Sequence, residues 1–130
     1  MATPTKNTHV IGCPRPGCRS KILRAGAAEL VRRAAGPELP GFAEPVGTGD
    51  MPPEVSSALE GGADSSAWFW RVGDMMEFEN IGFSKPLNGL KYLSCADCDL
   101  APLGYHDPAA PEREFLVAAG RVVYHREQQQ

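Results

Sequence analysis

A mainly β domain pinned by a cluster of sulfur ligands is the fold this sequence predicts, and three observations predict it. Four cysteines fall in two close pairs far apart in the chain, Cys13 with Cys18 and Cys95 with Cys98. From Trp68 onward the chain is dense in aromatic and branched residues. The apolar runs there are short and broken by turn residues at close intervals, the mark of strands rather than helices.

The elements follow in order. Met1 to Val10 is polar and lacks an apolar core, so no export signal is expected. The first cysteine pair brackets Pro14-Arg15-Pro16-Gly17, residues that let a backbone bend tightly. Ile22 to Ala35 has two readings. Leu23, Ala27, Leu30, Val31 and Ala34 fall at helical spacing. Gly26 interrupts that pattern, and two short strands turning at Ala25-Gly26 are the alternative. From 34 to 67, prolines alternate with glycines and large apolar residues are sparse. Such a stretch cannot bury enough surface to offset its ordering entropy. It reads as a flexible insert in a single domain over 1–130, with a short helical turn around Pro53 to Leu59.

Trp68 to Val72 reads as a strand. Met76, Phe78, Asn80 and Gly82 alternate with Glu77, Glu79, Ile81 and Phe83, and Glu77 to Asn80 has the period of a half-exposed strand. On that reading Met75 and Met76 point to opposite faces, one of them buried. Pro86-Leu87-Asn88-Gly89 signals a hairpin turn, and Leu90 to Leu93 runs as a strand into Cys95. Glu114 to Ala118 and Arg121 to His125 are two more strands, broken at Gly120, and Gln128 to Gln130 frays.

The cysteine arithmetic points to one tetrahedral, structural zinc ion held by Cys13, Cys18, Cys95 and Cys98, because thiolates suit zinc and ligands in close pairs are its usual spacing. Two disulfides would need an oxidising compartment. A redox pair at Cys95 and Cys98 would leave the first pair unexplained. With four thiolates committed to one metal, no catalytic cysteine remains. His106 and His125 are expected to be structural or interfacial, and Trp68, Phe69 and Trp70 to serve core and sheet surface. The formal charge is −3, and the basic residues Arg15, Arg19, Lys21, Arg24, Arg32 and Arg33 read as a solvated face, which speaks against nucleic acid as a partner. No apolar run is long enough to span a bilayer as a helix, so a soluble, cytoplasmic monomer is expected.

The run Phe78-Glu79-Asn80-Ile81-Gly82-Phe83, together with Cys95-Ala96-Asp97-Cys98 and Pro102-Leu103-Gly104-Tyr105-His106, strongly resembles the Rab-interacting factor family, the mammalian suppressor-of-Sec exchange factors. Cys13 to Leu23 and Phe115 to Glu127 resemble it as well. The first cysteine pair encloses four residues where the family pattern has two, and Met76-Glu77 stands where the pattern has two bulky apolar residues.

The resemblance implies a tent of antiparallel sheets pinned by zinc. It also implies binding to Rab GTPases of the secretory pathway, preferentially nucleotide-free. Guanine nucleotide release or chaperoning of the empty form would follow, in exocytosis and vesicle transport, without bond-breaking chemistry. The residues it assigns to Rab contact are Asp74, Met75, Met76, Glu77, Phe78, Glu79, Asn80 and Asp97. Two other classes stand beside it. An oxidoreductase of the methionine sulfoxide reductase type needs a thiol beyond the zinc set. A zinc-ribbon nucleic-acid module needs a basic surface.

Overall fold

The computed structural model describes residues 5–15, 17, 18, 20–33, 52, 53, 55, 68–86, 89–110 and 113–125. Among the described residues nine strands carry the fold: β1 Val10–Gly12, β2 Lys21–Leu23, β3 Glu29–Arg32, β4 Trp68–Val72, β5 Ile81–Phe83, β6 Lys91–Cys95, β7 Gly104–His106, β8 Phe115–Ala118 and β9 Val123–His125. They form a three-stranded sheet in the order β2-β1-β9 and a six-stranded sheet in the order β3-β4-β8-β7-β6-β5. Every pairing is antiparallel. The mainly β expectation is met. Among the described residues no helix is long and apolar enough to cross a membrane.

The main core lies between the sheets. Ile11, Leu23 and Tyr124 of the small sheet meet Trp70, Val72, Leu93, Phe115 and Val117 of the large one. Residues one step along β4 and β8 face the other way, as strand periodicity requires. Phe69, Leu116 and Ala118 gather with Tyr105 in a second apolar strip on the outer face. A polar chain crosses the main core: Trp70 Nε1 donates to Tyr124 Oη at 2.9 Å, and that hydroxyl donates to the Ala119 carbonyl at 2.6 Å. Both buried polar tips are thereby satisfied.

Ile22 to Arg33 holds two strands joined by a turn, not a helix. Gly26 has φ +83°, a left-handed conformation that ends any helix and that glycine adopts without strain. The strands on either side do not pair with each other. β2 joins the small sheet and β3 the large one, so this turn passes the chain between sheets. Asn7, 2% exposed, holds it in place: its side chain donates to the Arg24 and His9 carbonyls and accepts from the Ala28 N–H. The last two strands likewise separate, β8 to the large sheet and β9 to the small, across a 3-10 turn at Ala119–Arg121.

The insert expected over 34–67 lies largely outside the described residues, as does Gln128 to Gln130. Pro53 and Val55 are helical. Val55 is fully buried in the main core, so a described residue of this stretch packs against the sheets.

The basic residues do more than cover a solvated face. On the outer face, Arg71 Nε and Arg33 Nη2 each lie 3.0 Å from Glu114 Oε1, and Arg71 Nη1 lies 3.2 Å from Glu29 Oε1. The hydrogen bonds from Arg33, then Arg71, hold the Glu114 carboxyl below its ordinary pKa. A depressed carboxylate contributes stability above its unfolded pKa of about 4.3 and loses it as pH falls through the folded value. Glu114→Gln should therefore cost about 1 kcal/mol at neutral pH, discounted for partial exposure. The gap from wild type should close as the pH drops below about 4, as urea denaturation across a pH series would show.

Gly104 tests the close approach of β7 to β8. A Cβ there would collide with the Leu116 carbonyl oxygen, a backbone atom that cannot move aside alone. Gly104→Ala should destabilise by about 3 kcal/mol, visible as a lowered urea midpoint.

Candidate functional site

Two turns build the sulfur cluster. β1 delivers Cys13, whose N–H donates to the Ser20 carbonyl at 2.9 Å, while the Cys18 N–H donates to the Arg15 carbonyl at 3.0 Å. β6 ends at Cys95, whose N–H donates to the Leu100 carbonyl at 3.0 Å and whose carbonyl accepts from the Asp99 N–H at 2.8 Å. Arg15 Nη1 reaches across to the Cys98 carbonyl at 2.7 Å and ties the turns together.

The four Sγ atoms lie within 4.8 Å of one another. Cys13 and Cys98 Sγ are 3.5 Å apart, and Cys18 and Cys95 Sγ 3.7 Å. A tetrahedron with metal–sulfur bonds of about 2.3 Å has edges of about 3.8 Å. The donor set therefore fits a four-coordinate metal ion of thiophilic character. Cys13 and Cys95 are buried; Cys18 and Cys98 are partly exposed. Burial pushes the Cys13 and Cys95 thiols up. The neighbouring Ser20 hydroxyl is the largest influence bringing Cys18 down to about 7. Thiols must lose their protons to hold a metal, so binding weakens in acid.

The segment 74–80 lies against the outer edge of β2. Phe78 bridges to Leu23, the Glu79 N–H donates to the Ile22 carbonyl at 2.8 Å, and Asn80 Nδ2 donates to the Lys21 carbonyl at 2.8 Å. It is not the strand that alternation predicts. Met75–Glu77 is a 3-10 turn, capped by the Asp74 carboxylate accepting from the Met76 N–H at 2.9 Å. The turn points outward, so both methionines are exposed, Met75 at 43% and Met76 at 83%. The expectation that one would be buried fails because the local period is three, not two.

The other expected contact residues divide. Phe78 is half-buried against the main core, edge-on to Phe115 with ring centroids 6.0 Å apart. The Asn80 side chain is engaged by β2, whereas Glu79 and Asp97 are exposed. Asp97 is brought close to this segment because the Ala96 N–H donates to the Asn80 carbonyl at 3.1 Å. His106 stacks on Phe115 at 4.3 Å, and its Nδ1 lies 2.8 Å from the Glu114 carbonyl oxygen. It is a packing residue away from the sulfurs.

Three participants escaped the sequence reading: Arg15, Arg24 and Ser20. Arg24 pairs with Glu77 at 2.6 Å and steadies the methionine turn. Only proximity in the fold distinguishes these residues from an ordinary charged or polar surface. The turns themselves yield a test of the metal centre. A structural metal of this kind contributes on the order of 10 kcal/mol, about the whole stability of a small domain. Cys95→Ser should lose bound metal and cooperative unfolding together, measured by elemental analysis and thermal circular dichroism. Wild-type metal content with an unchanged melt would contradict this.

The sequence model of a family described as "Mss4 protein" matches residues 6–124. The chain is 54% identical over 56 residues to a "Guanine nucleotide exchange factor MSS4 homolog" of Drosophila melanogaster, which covers 43% of this chain and 44% of the relative. It is 50% identical over 50 residues to the protein of the same description from Schizosaccharomyces pombe, covering 38% of this chain and 48% of the relative. In each alignment the chain spans less than half of the relative's own length. The family match takes in both cysteine turns and every strand but the last residue of β9, and the chain belongs to the Mss4 protein family.

Proposed function

We propose that this protein binds small GTPases of the Rab family in their nucleotide-free form, and promotes guanine nucleotide release or chaperones the empty state. In this reading one zinc ion, held by Cys13, Cys18, Cys95 and Cys98, is structural, and the protein acts in the cytoplasm. The observation that carries the reading is the capped turn with two exposed methionines, set among Asp74, Glu77 and Glu79 and beside the Asp97 turn. The descriptions of the two relatives as guanine nucleotide exchange factors support it.

The physics is differential binding. A protein that grips the empty GTPase more tightly than the loaded one shifts the population toward empty. Guanine nucleotide must weaken that grip by the same factor. Flexible, polarisable methionines suit a surface that must adapt to a partner whose nucleotide pocket has loosened. The surrounding carboxylates can compete for cationic groups that otherwise hold phosphate. The convergence of all four cysteines at one point supports binding over thiol redox chemistry.

Met76 is the cleanest probe of this surface, since Phe78 also serves the core. Met75→Ala/Met76→Ala should slow release of a fluorescent GDP analogue from a responsive Rab by about tenfold, equivalent to about 1.4 kcal/mol, with metal content unchanged. Phe78→Ala should lower both exchange and thermal stability. If no Rab in a broad panel binds the wild-type protein in its nucleotide-free form, the proposal falls.

A further inference from the structure

Ser20 occupies a position that neither the metal ligands nor the methionine surface accounts for. It lies just past the first cysteine pair and touches three things at once. Its carbonyl accepts from the Cys13 N–H at 2.9 Å. Its Oγ lies 3.4 Å from Cys18 Sγ. The same hydroxyl donates to the Asp97 carboxylate, which sits between Cys95 and Cys98 in the opposing turn. One residue thus contacts both members of the first pair and the loop of the second. Around it the backbone is tight: a Cβ on Gly12 would come within 3.3 Å of the Ser20 carbonyl oxygen and 2.8 Å of His125 Nε2.

We infer that Ser20 is the positioning residue of the metal centre, a latch that ties the turn carrying Cys13 and Cys18 to the Asp97 carboxylate on the turn carrying Cys95 and Cys98. The hydroxyl has one proton, and the Asp97 carboxylate takes it. Asp97 holds the hydroxyl, and through it the backbone of the turn whose Cys18 is partly exposed. Groups that orient a metal's ligands in this way typically alter metal affinity by about ten- to a hundredfold when removed. Asp97 then has two roles under the proposed function. It faces solvent where a GTPase would dock, and it holds the latch. A partner that engages Asp97 would act on the metal site through Ser20, without touching a sulfur. Only this last consequence rests on the GTPase reading; the latch itself does not.

The test needs no GTPase, so its outcome is separate from that of the exchange assay. The full chain is loaded with zinc, and metal transfer to a chromophoric chelator is followed for wild type, Ser20→Ala, Ser20→Thr, Asp97→Ala and the Ser20→Ala/Asp97→Ala double variant. Ser20→Ala should release metal about tenfold faster, and Ser20→Thr, which restores a hydroxyl, should return the rate toward wild type. Asp97→Ala should also speed release, but add nothing in the Ser20→Ala background, because its effect passes through the hydroxyl. A wild-type rate in Ser20→Ala overturns the latch. So does an additive double variant, which would make Asp97 and Ser20 independent. Failure of the threonine variant to rescue would point to backbone disruption and overturn it equally. If Ser20→Ala fails to fold, the Asp97→Ala rate decides alone, and a wild-type rate there rejects the proposal.

Discussion

The structure depends on the meeting of two turns that belong to different sheets. Cys13 and Cys18 sit on the connection from β1 to β2 in the small sheet, and Cys95 ends β6 in the large one. Bringing their sulfurs within 4.8 Å fixes the distance between the sheets at that end. The Trp70–Tyr124–Ala119 chain joins them again through the core. A domain of this size buries a modest apolar core, and a metal at the sulfurs would supply closure that packing alone does not. The ordering is reciprocal. The turns hold the sulfurs in place, and a metal would hold the turns.

The exposed methionine turn follows from that arrangement. The β2 edge would otherwise present unpaired backbone groups. Segment 78–80 covers it with a bridge at Phe78 and hydrogen bonds from Glu79 and Asn80. Phe78 then anchors inward on Phe115, which also carries Phe83 and His106. With its C-terminal side secured in this way, the short 3-10 turn before it is free to project. Asp74 caps it and Arg24 braces Glu77. Two large apolar side chains therefore stand in solvent on a capped and braced turn. Exposure of this kind carries a cost in burial that the fold itself does not need, and it is this exposure on which the proposed contact surface rests. The opposing loop at Asp97 is drawn to the same face through Ala96 and Asn80.

Much of the fold class was legible in the residues. The dense apolar runs at Trp68 to Val72 and Phe115 to Ala118 are buried in the large sheet, and the Asn-Gly signal falls between β5 and β6, which pair as antiparallel neighbours. The cysteine spacing located the sulfur cluster, because close pairs on bends can converge on one point. Less legible was the segment before β5. Its alternation of apolar and acidic residues imitates a strand, while the Asp74 cap and the pull of the β2 edge impose a 3-10 turn. Nor could Ile22 to Ala35 be resolved from period alone, since its apolar residues fit helical spacing and two strands equally.

Residue chemistry, by itself, pointed to a mainly β chain and to four sulfurs gathered at one place. These follow from spacing and composition, which are local. Tertiary structure alone decided which strand joined which sheet, that Gly26 and Gly120 lie where the chain passes between sheets, and that Arg15, Arg24 and Ser20 stand at the site. It also decided that Met75 and Met76 are both exposed. Such outcomes turn on contacts between residues tens of positions apart, as between Ser20 and Asp97 or Leu23 and Phe78. Local propensity is too weak to specify such contacts; they arise when the two sheets close on a common core.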